Sequence, residues 1–336
     1  MAGPIPEKRG GRKTCSSLFP DPDAAFLEVV RPYTAGDPMQ EGALWTNLSL
    51  RRLAAELTHR GFRVSVSVVV GLLHKHRLGR RKALKKRSFK HHPHRDRQFQ
   101  NIARFRALYE KAGNPIFSID TKKKELIGDR FREGHAYTQQ TLETLDHDFP
   151  SYASGVVYPH CLYDLQRNHG HINLGTSHDT SAFACDSIAF GWEHYGCLHY
   201  PRATSLLLLC DGGGSNAANR YVFKYGLEKL ADRIALEIRV AHYPPYKSKY
   251  NPIEHRFFPH VTRACQGVIF LSIATALEKM AQTSTTQGLT TTVHLLKGEY
   301  LTGQKAPKNY KKNMRIVFDE ELPAWNYRAI PTKWDI

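Results

Sequence analysis

Apolar residues recur at two different periods along this chain, and the change falls near residue 115. Before it, Leu50, Leu53, Ala54 and Leu57 follow helical spacing and put an apolar stripe on one face. Gly61 ends that helix. Ser65 is a good N-cap for a second helix with Val69, Leu72 and Leu73 inward. A short helix is expected around Ala24–Val30, and Phe99, Ile102, Phe105 and Leu108 predict an amphipathic linking helix over 97–112. After residue 115 the runs shorten to strand length. Ile116–Asp120 is one strand. Tyr158–Asp164 and His171–Gly175 form an antiparallel pair joined through Asn168-His169-Gly170, and the polar stretch Glu125–Ser154 reads as an insertion. Asp179-Thr180-Ser181 caps a helix to about Tyr195, with Phe183, Ile188 and Phe190 apolar. Ser205-Leu206-Leu207-Leu208-Leu209-Cys210 is too short for a core helix and reads as a buried parallel strand. A helix over 218–233, a strand from Glu237 to Tyr243-Pro244-Pro245 and a closing helix over Asn251–Ala264 complete the pattern.

Three strands, helix, strand, helix, strand, helix is the order of the ribonuclease-H-like α+β fold. Asp120 ends the first strand, Asp211 ends the leucine run just before Gly212-Gly213-Gly214, and Glu254 lies in Asn251-Pro252-Ile253-Glu254. Two strand-end acids and one helical acid suit a site for divalent metals in phosphoryl transfer. Taken singly, each has an ordinary reading: Asp211 as a turn former, Asp120 as a strand cap, Glu254 as a surface helix residue. Asp179 is the closest rival acid and reads as a helix N-cap. His255 either orients a carboxylate, touches DNA or is merely packed. Lys122, Lys123 and Lys124 either contact phosphate or form a solvated charge run.

Charge adds a partner to this picture. The formal net charge of +17 over 336 residues favours a polyanion, most simply nucleic acid. The helix, glycine turn and helix over 46–78 match a helix-turn-helix, with Ser65, Val66, Ser67 and Val68 where a recognition helix meets base edges, although an ordinary αα-hairpin has the same geometry. The run that follows, with Arg80, Arg81, Lys82, Lys85, Lys86, Arg87 and Lys90 and only Asp96 as an acid, fits contact with the phosphate backbone. His91, His92 and His94 match no structural zinc spacing. The six cysteines form no C-x-x-C pair and read as reduced residues of a cytosolic protein. No apolar run reaches the roughly 20 residues of a membrane span, and the polar N-terminus has no signal-peptide core.

Three separated segments carry a resemblance: Ser118-Ile119-Asp120-Thr121, Cys210-Asp211-Gly212-Gly213-Gly214-Ser215-Asn216, and Tyr250-Asn251-Pro252-Ile253-Glu254-His255-Arg256. They resemble bacterial insertion-sequence DDE transposases of the ISAzo-thirteen family, distantly related to the Tc/mariner group. The likeness covers most of the chain and includes Arg51-Arg52-Leu53-Ala54, His94-Arg95-Asp96-Arg97-Gln98-Phe99, Gly175–Thr180 and Trp325-Asn326-Tyr327. It implies that Asp120, Asp211 and Glu254 ligate two Mg²⁺ ions, which Mn²⁺ can replace. It also implies that the protein binds terminal inverted repeats and target DNA as a homodimer or larger, in the bacterial cytoplasm at the nucleoid. Family members often carry a further DNA-binding segment before the Gly-Gly-Arg-Lys stretch, here residues 10–13, which points to a shortened N-terminus. The expected organisation is an arm over 1–40, a helix-turn-helix region with its basic run over 41–112, a catalytic domain over 113–275 and an extension over 276–336. The rival readings are a relic that only binds DNA and a metal nuclease without strand transfer.

Overall fold

The structure is a computed structural model that describes residues 22–30, 46, 48–80, 92–147 and 149–332. The chain divides into two compact units, Met1–Arg87 and Ser88–Ile336. The first contains α1 (Pro22–Val30), α2 (Leu50–His59) and α3 (Val66–Lys75). Phe26, Val29 and Val30 of α1, Leu53 and Leu57 of α2, and Val69 and Leu72 of α3 share one small apolar core. Side chains cap both later helices: Ser49 accepts from Arg52 N–H at 3.3 Å and Ser65 from Val68 N–H at 3.4 Å. Gly61 turns the chain at φ +91°, a conformation costly for any residue with a Cβ.

The second unit opens with α4 (Arg95–Ala112) and continues through β1 (Ile116–Thr121), β2 (Glu125–Ile127), β3 (Gly155–Asp164), β4 (His169–Gly175), α5 (Ser181–Gly191), α6 (Cys197–His199) and β5 (Ser205–Cys210). It then runs through α7 (Tyr221–Ile234), β6 (Glu237–His242), α8 (Pro252–Arg256), α9 (Phe258–Cys265), α10 (Ile273–Ala281), β7 (Thr290–Leu296), α11 (Tyr310–Asn313), β8 (Ile316–Phe318) and β9 (Asn326–Ala329). One sheet runs β7-β4-β3-β1-β5-β6-β9-β8, with β2 paired to β3. Its centre is β4-β3-β1-β5-β6. There β1, β3 and β4 alternate in direction and β1, β5 and β6 are parallel. That is the strand order and polarity of a ribonuclease-H-like mixed α/β fold.

The sheet is covered on both faces. On one, Phe117, Ile119, Leu206, Leu208 and Cys210 pack against α5 and α7. On the other, Ile116, Leu207 and Leu209 pack against α4, α8, α9 and α10. The leucine run is therefore buried throughout because alternate residues serve opposite cores.

Two boundaries move. Helix α4, expected to link the domains, belongs to the sheet unit, where Ile102, Phe105 and Tyr109 enter the core under the sheet. Of the expected stripe, Ile102 and Phe105 are buried, Phe99 is half-buried against the core and Leu108 is 54% exposed, and the polar residues Gln98 and Asn101 are buried as well. Residues after 276 are no separate extension: β7 pairs parallel with β4 and β9 antiparallel with β6, so both flanks of the sheet come from the C-terminal part of the chain. The helix after β4 is capped by Thr180, which accepts from Phe183 N–H at 3.2 Å, and it passes through a π turn at Trp192–Gly196.

Candidate active site

Strand parity brings the acids to one face. In β1, Ile116 and Ser118 point toward α4 and α8, so Asp120, two residues on, does too. In β5, Leu207 and Leu209 point the same way, and Asp211 follows them in phase. The strands are parallel and in register, Ile119 beside Cys210, so the two acids leave neighbouring strands at the same end. Strands lie about 4.8 Å apart, close enough for two carboxylates to share a cation.

Glu254 comes from α8, on that face. Pro252 starts the helix at a position where a missing N–H has no cost. Asn251 fastens it to β1. Its side-chain amide donates to the Ile119 carbonyl at 3.2 Å and its oxygen accepts from the Ser118 hydroxyl, which in turn accepts from Ile253 N–H at 3.0 Å. Asn251 and Ile253 are fully buried. Beyond them Phe257 stacks on Tyr163 and lies over Gly170, where any Cβ would overlap its ring. Sequence alone assigns no role to Ser118 or Asn251, although both lie in the segments that carry the resemblance. A signal existed: a lone hydroxyl inside the apolar run Ile116–Ile119 must find a buried partner.

The electrostatics of Asp120 reflect its two acidic neighbours. Burial first, then the charges of Asp211 and Glu254, push the Asp120 carboxyl up to about 8. Only Thr121 N–H, 2.8 Å from Oδ1, opposes this. No Lys or Arg among the described residues forms an ion pair with any of the three. The Asp211 carboxylate accepts from Gly213 N–H at 3.2 Å, and its backbone carbonyl accepts from His242 Nδ1 at 2.9 Å. Burial lowers His242 to about 4, so its ring is neutral. Of the three glycines only Gly214, at φ +66°, requires the left-handed region.

This donor set fits a hard divalent cation. Carboxylates crowded together without an ion pair among the described residues raise the energy of the site, and a cation bound there would remove that cost. Among the described residues no three His, Cys, Asp or Glu side chains close on a single point as around a bound ion. Mg²⁺ ordinarily takes one or two protein carboxylates and fills its octahedron with water and substrate phosphate, so the pairs Asp120–Asp211 and Asp120–Glu254 are the relevant geometry.

The remaining expected residues separate. Asp179 is not the helix cap. Its carboxylate accepts from the Thr121 hydroxyl at 3.1 Å and from Ser215, and burial raises its pKa, opposed by those two bonds, with the Asp211 charge adding to the rise. It is a fourth acid tying the residue after Asp120 to the loop after Asp211. Lys122 is held by Glu125 at 3.1 Å, which Arg132 also grips at 2.8 Å, so Lys123 and Lys124 are the exposed members of that run. His255 is exposed, its pKa lowered by partial burial and by Arg256. In the helical unit Ser65 and Ser67 are exposed at the start of α3, and Arg80 is exposed beyond its end. Arg81, Lys82, Lys85, Lys86 and Arg87 lie outside the described residues. A hollow of about 820 Å³ beside α4 is lined by Arg104, Arg239, Arg328, Glu237 and Asp319 and contains none of the three acids. Its Arg239 and Arg328 are already paired with Asp319 and Glu237.

Residues 25–331 match the family model described as the Rhodopirellula transposase DDE domain. The chain belongs to this transposase family. No curated protein matches it. Solved structures with similarity include the Mos1 transposase paired-end complex with left transposon end, at 13% identity and TM-score 0.41, covering 82% of this chain and 72% of that one. The Mos1 mariner paired end complex with Mn is similar at 12% identity and TM-score 0.40, covering 72% of each chain. In the family's terms the chain carries a DDE transposase domain, and the described residues contain no helix long and apolar enough to cross a membrane.

Proposed function

We propose that this member of the family is a bacterial insertion-sequence transposase that cleaves DNA at element ends and joins the resulting 3′-hydroxyl to target DNA. The observation that carries the reading is the approach of Asp120, Asp211 and Glu254 to one another, from two parallel strands and one helix, with no ion pair to them from a Lys or Arg among the described residues. Two Mg²⁺ ions, or Mn²⁺ in their place, would be held by these three residues and would activate the attacking oxygen and stabilise the leaving one in an in-line displacement. The protein's own contribution is placement. The sheet fixes Asp120 and Asp211 side by side, Asn251 fixes Glu254 against them, and Asp120 must release its proton before it can ligate. No covalent protein nucleophile is required.

In this reading Ser65, Ser67, Arg80 and the basic run through Arg87 bind element ends, and His255, exposed beside Glu254, lies against the DNA. The functional unit is a dimer or larger on terminal repeats, working in the bacterial cytoplasm. The deciding experiment is an assay with Mg²⁺, labelled element ends and a target plasmid. Cleavage and end joining, both lost in Asp211→Asn, support the reading. Cleavage without joining would make the protein a nuclease. DNA binding without cleavage in the native sequence would make it a binding protein only.

A further inference from the structure

Two distant segments, His94–Phe99 and Trp325–Tyr327, have no part in the chemistry proposed for the three acids. Both end at one buried residue, His242, the last of β6. We propose that His242 and Tyr327 form a buried relay that holds the Asp211 carbonyl and so sets the direction of the Asp211 carboxylate. They are positioning residues, and the inference rests on Asp211 being a metal ligand.

Strands β5 and β6 pair through Cys210 and His242, and Tyr243 N–H donates to the Cys210 carbonyl at 2.8 Å. There the regular ladder stops, one residue short of the acid. The next carbonyl, that of Asp211, would need a partner from elsewhere. The His242 side chain supplies it: Nδ1 lies 2.9 Å from that oxygen. A carbonyl can only accept, so Nδ1 carries the hydrogen. In an uncharged ring Nε2 must then accept, and the Tyr327 hydroxyl, 3.0 Å away, donates to it. Tyr327 thereby fixes the tautomer that Asp211 needs. Both rings are fully buried.

His242 is itself held on its backbone side. Its N–H donates to the Trp325 carbonyl at 2.9 Å. Its carbonyl accepts from the Gln98 side chain at 2.8 Å, and Gln98 and Asn326 exchange amide bonds at 2.9 and 2.8 Å. Gln98 and Asn326 are also fully buried. Four groups of one histidine are therefore satisfied from several separate elements, α4 and β9 among them. On the other side Asp211 continues into exposed glycines, where its carboxylate accepts from Gly213 N–H. The restraint on Asp211 comes from the strand side, through His242.

Asparagine and glutamine separate the two ends of the imidazole. His242→Asn keeps an N–H near the Nδ1 position and loses the bond to Tyr327. His242→Gln reaches the Nε2 position and loses the bond to Asp211. The test measures Mn²⁺ binding by titration calorimetry, the melting temperature with and without Mn²⁺, and single-turnover cleavage against Mg²⁺ concentration. His242→Gln should raise the metal needed for half-maximal binding and cleavage about tenfold or more, the scale on which groups behind metal ligands act. His242→Asn should stay within about threefold of the native protein, and Tyr327→Phe should fall between them. If Asn and Gln lose function equally and in step with melting temperature, the role is merely structural and the relay is overturned. An unchanged metal requirement in His242→Gln overturns it as well. Should that variant fail to fold, Tyr327→Phe decides by the same measure. Asp211→Asn separates the two levels. If it binds metal normally, the ligand reading fails and the relay with it, whereas loss of binding there beside normal binding in His242→Gln sinks the relay alone.

Discussion

In the helical unit, Arg80 and Ser67 at the start of α3 stand in solvent, where charge and hydroxyl interact with water and add little to folding. In the sheet unit, Asp120 is half-buried against two further acids, with its carboxyl pushed up to about 8. The difference teaches where each kind of function leaves its mark. A surface built to meet a polyanion can lose a charge without disturbing its core. On the proposed reading, a site that would hold cations stores repulsion until they arrive, so its residues should affect both stability and catalysis.

The largest expected effect is at the acids. Asp120→Ala, Asp211→Ala and Glu254→Ala should each reduce strand cleavage in Mg²⁺ by at least about a thousandfold while leaving affinity for end DNA within about twofold. Cleavage gels and mobility-shift titrations on the same preparations measure both. Near-native cleavage in any one variant removes that residue from the ligand set.

The opposite profile is expected from the basic run. Replacing Arg80, Arg81, Lys85 and Lys86 together by Ala should weaken binding about a hundredfold at low salt, for every sequence tested. The slope of log affinity against log salt should flatten by about 0.9 for each phosphate that is no longer neutralised. An unchanged slope would show that this run does not touch the backbone. Nicking of DNA supplied at saturating concentration should persist.

The contrast between the units also explains what sequence could and could not say. Short continuous apolar runs made β1 and β5 legible, and the acids at their ends follow from them. The partners of α4 were not legible, because an amphipathic stripe declares a buried face but not what covers it. Gln98 sits on that face because its amide bonds the His242 carbonyl and Asn326, which apolar periodicity cannot register. The flanking strands β7 and β9 escape a local reading because their pairing partners lie more than 80 residues away, β9 beside β6 and β7 beside β4. Asp179 reads as a cap because Asp-Thr-Ser offers three capping side chains in a row. The one that caps is Thr180, and this frees Asp179 to bond Thr121.

A smaller effect should come from the fastening of α8. Asn251→Ala removes the bonds to Ser118 and Ile119 and lets Glu254 drift, so cleavage should fall about tenfold to a hundredfold with DNA affinity unchanged. Ser118→Ala should follow in the same direction and by less, because the Asn251 bond to the Ile119 carbonyl survives. A loss equal to that of Glu254→Ala would mean that the helix had unfolded, which circular dichroism would reveal.

Next is the stability of the metal-free protein. The Asp120 carboxyl titrates near 8 when folded and near the ordinary 3.8 when unfolded. Below about pH 4 both states hold the proton and the contribution to stability is complete. Between about 4 and 8 the unfolded chain ionises first, so stability falls as pH rises, and above 8 the fall ends. Asp120→Asn cannot ionise. In chelator it should melt a few degrees above the native protein at pH 8 and level with it at pH 4, with Mg²⁺ narrowing the gap by stabilising only the native protein. A gap that does not change with pH would assign the stabilisation to something other than the relieved charge.

The finest comparison lies within α3, between two serines two residues apart. The Ser65 hydroxyl already serves the fold by accepting from Val68 N–H. Ser65→Ala should therefore reduce stability by about 1 kcal/mol, the usual worth of an N-cap, and lower affinity for all sequences alike as the helix start frays. Ser67 is exposed one position inside the helix, on the end that a helix-turn-helix presents to base edges. Ser67→Ala should leave the melting temperature unchanged and alter only the ranking of end sequences, by at most about tenfold at one base pair. A selection from randomised end sequences, run on both variants, separates these outcomes. If Ser67→Ala selects the same sequences as the native protein, α3 is an ordinary hairpin helix and the reading of base edges belongs elsewhere in the chain.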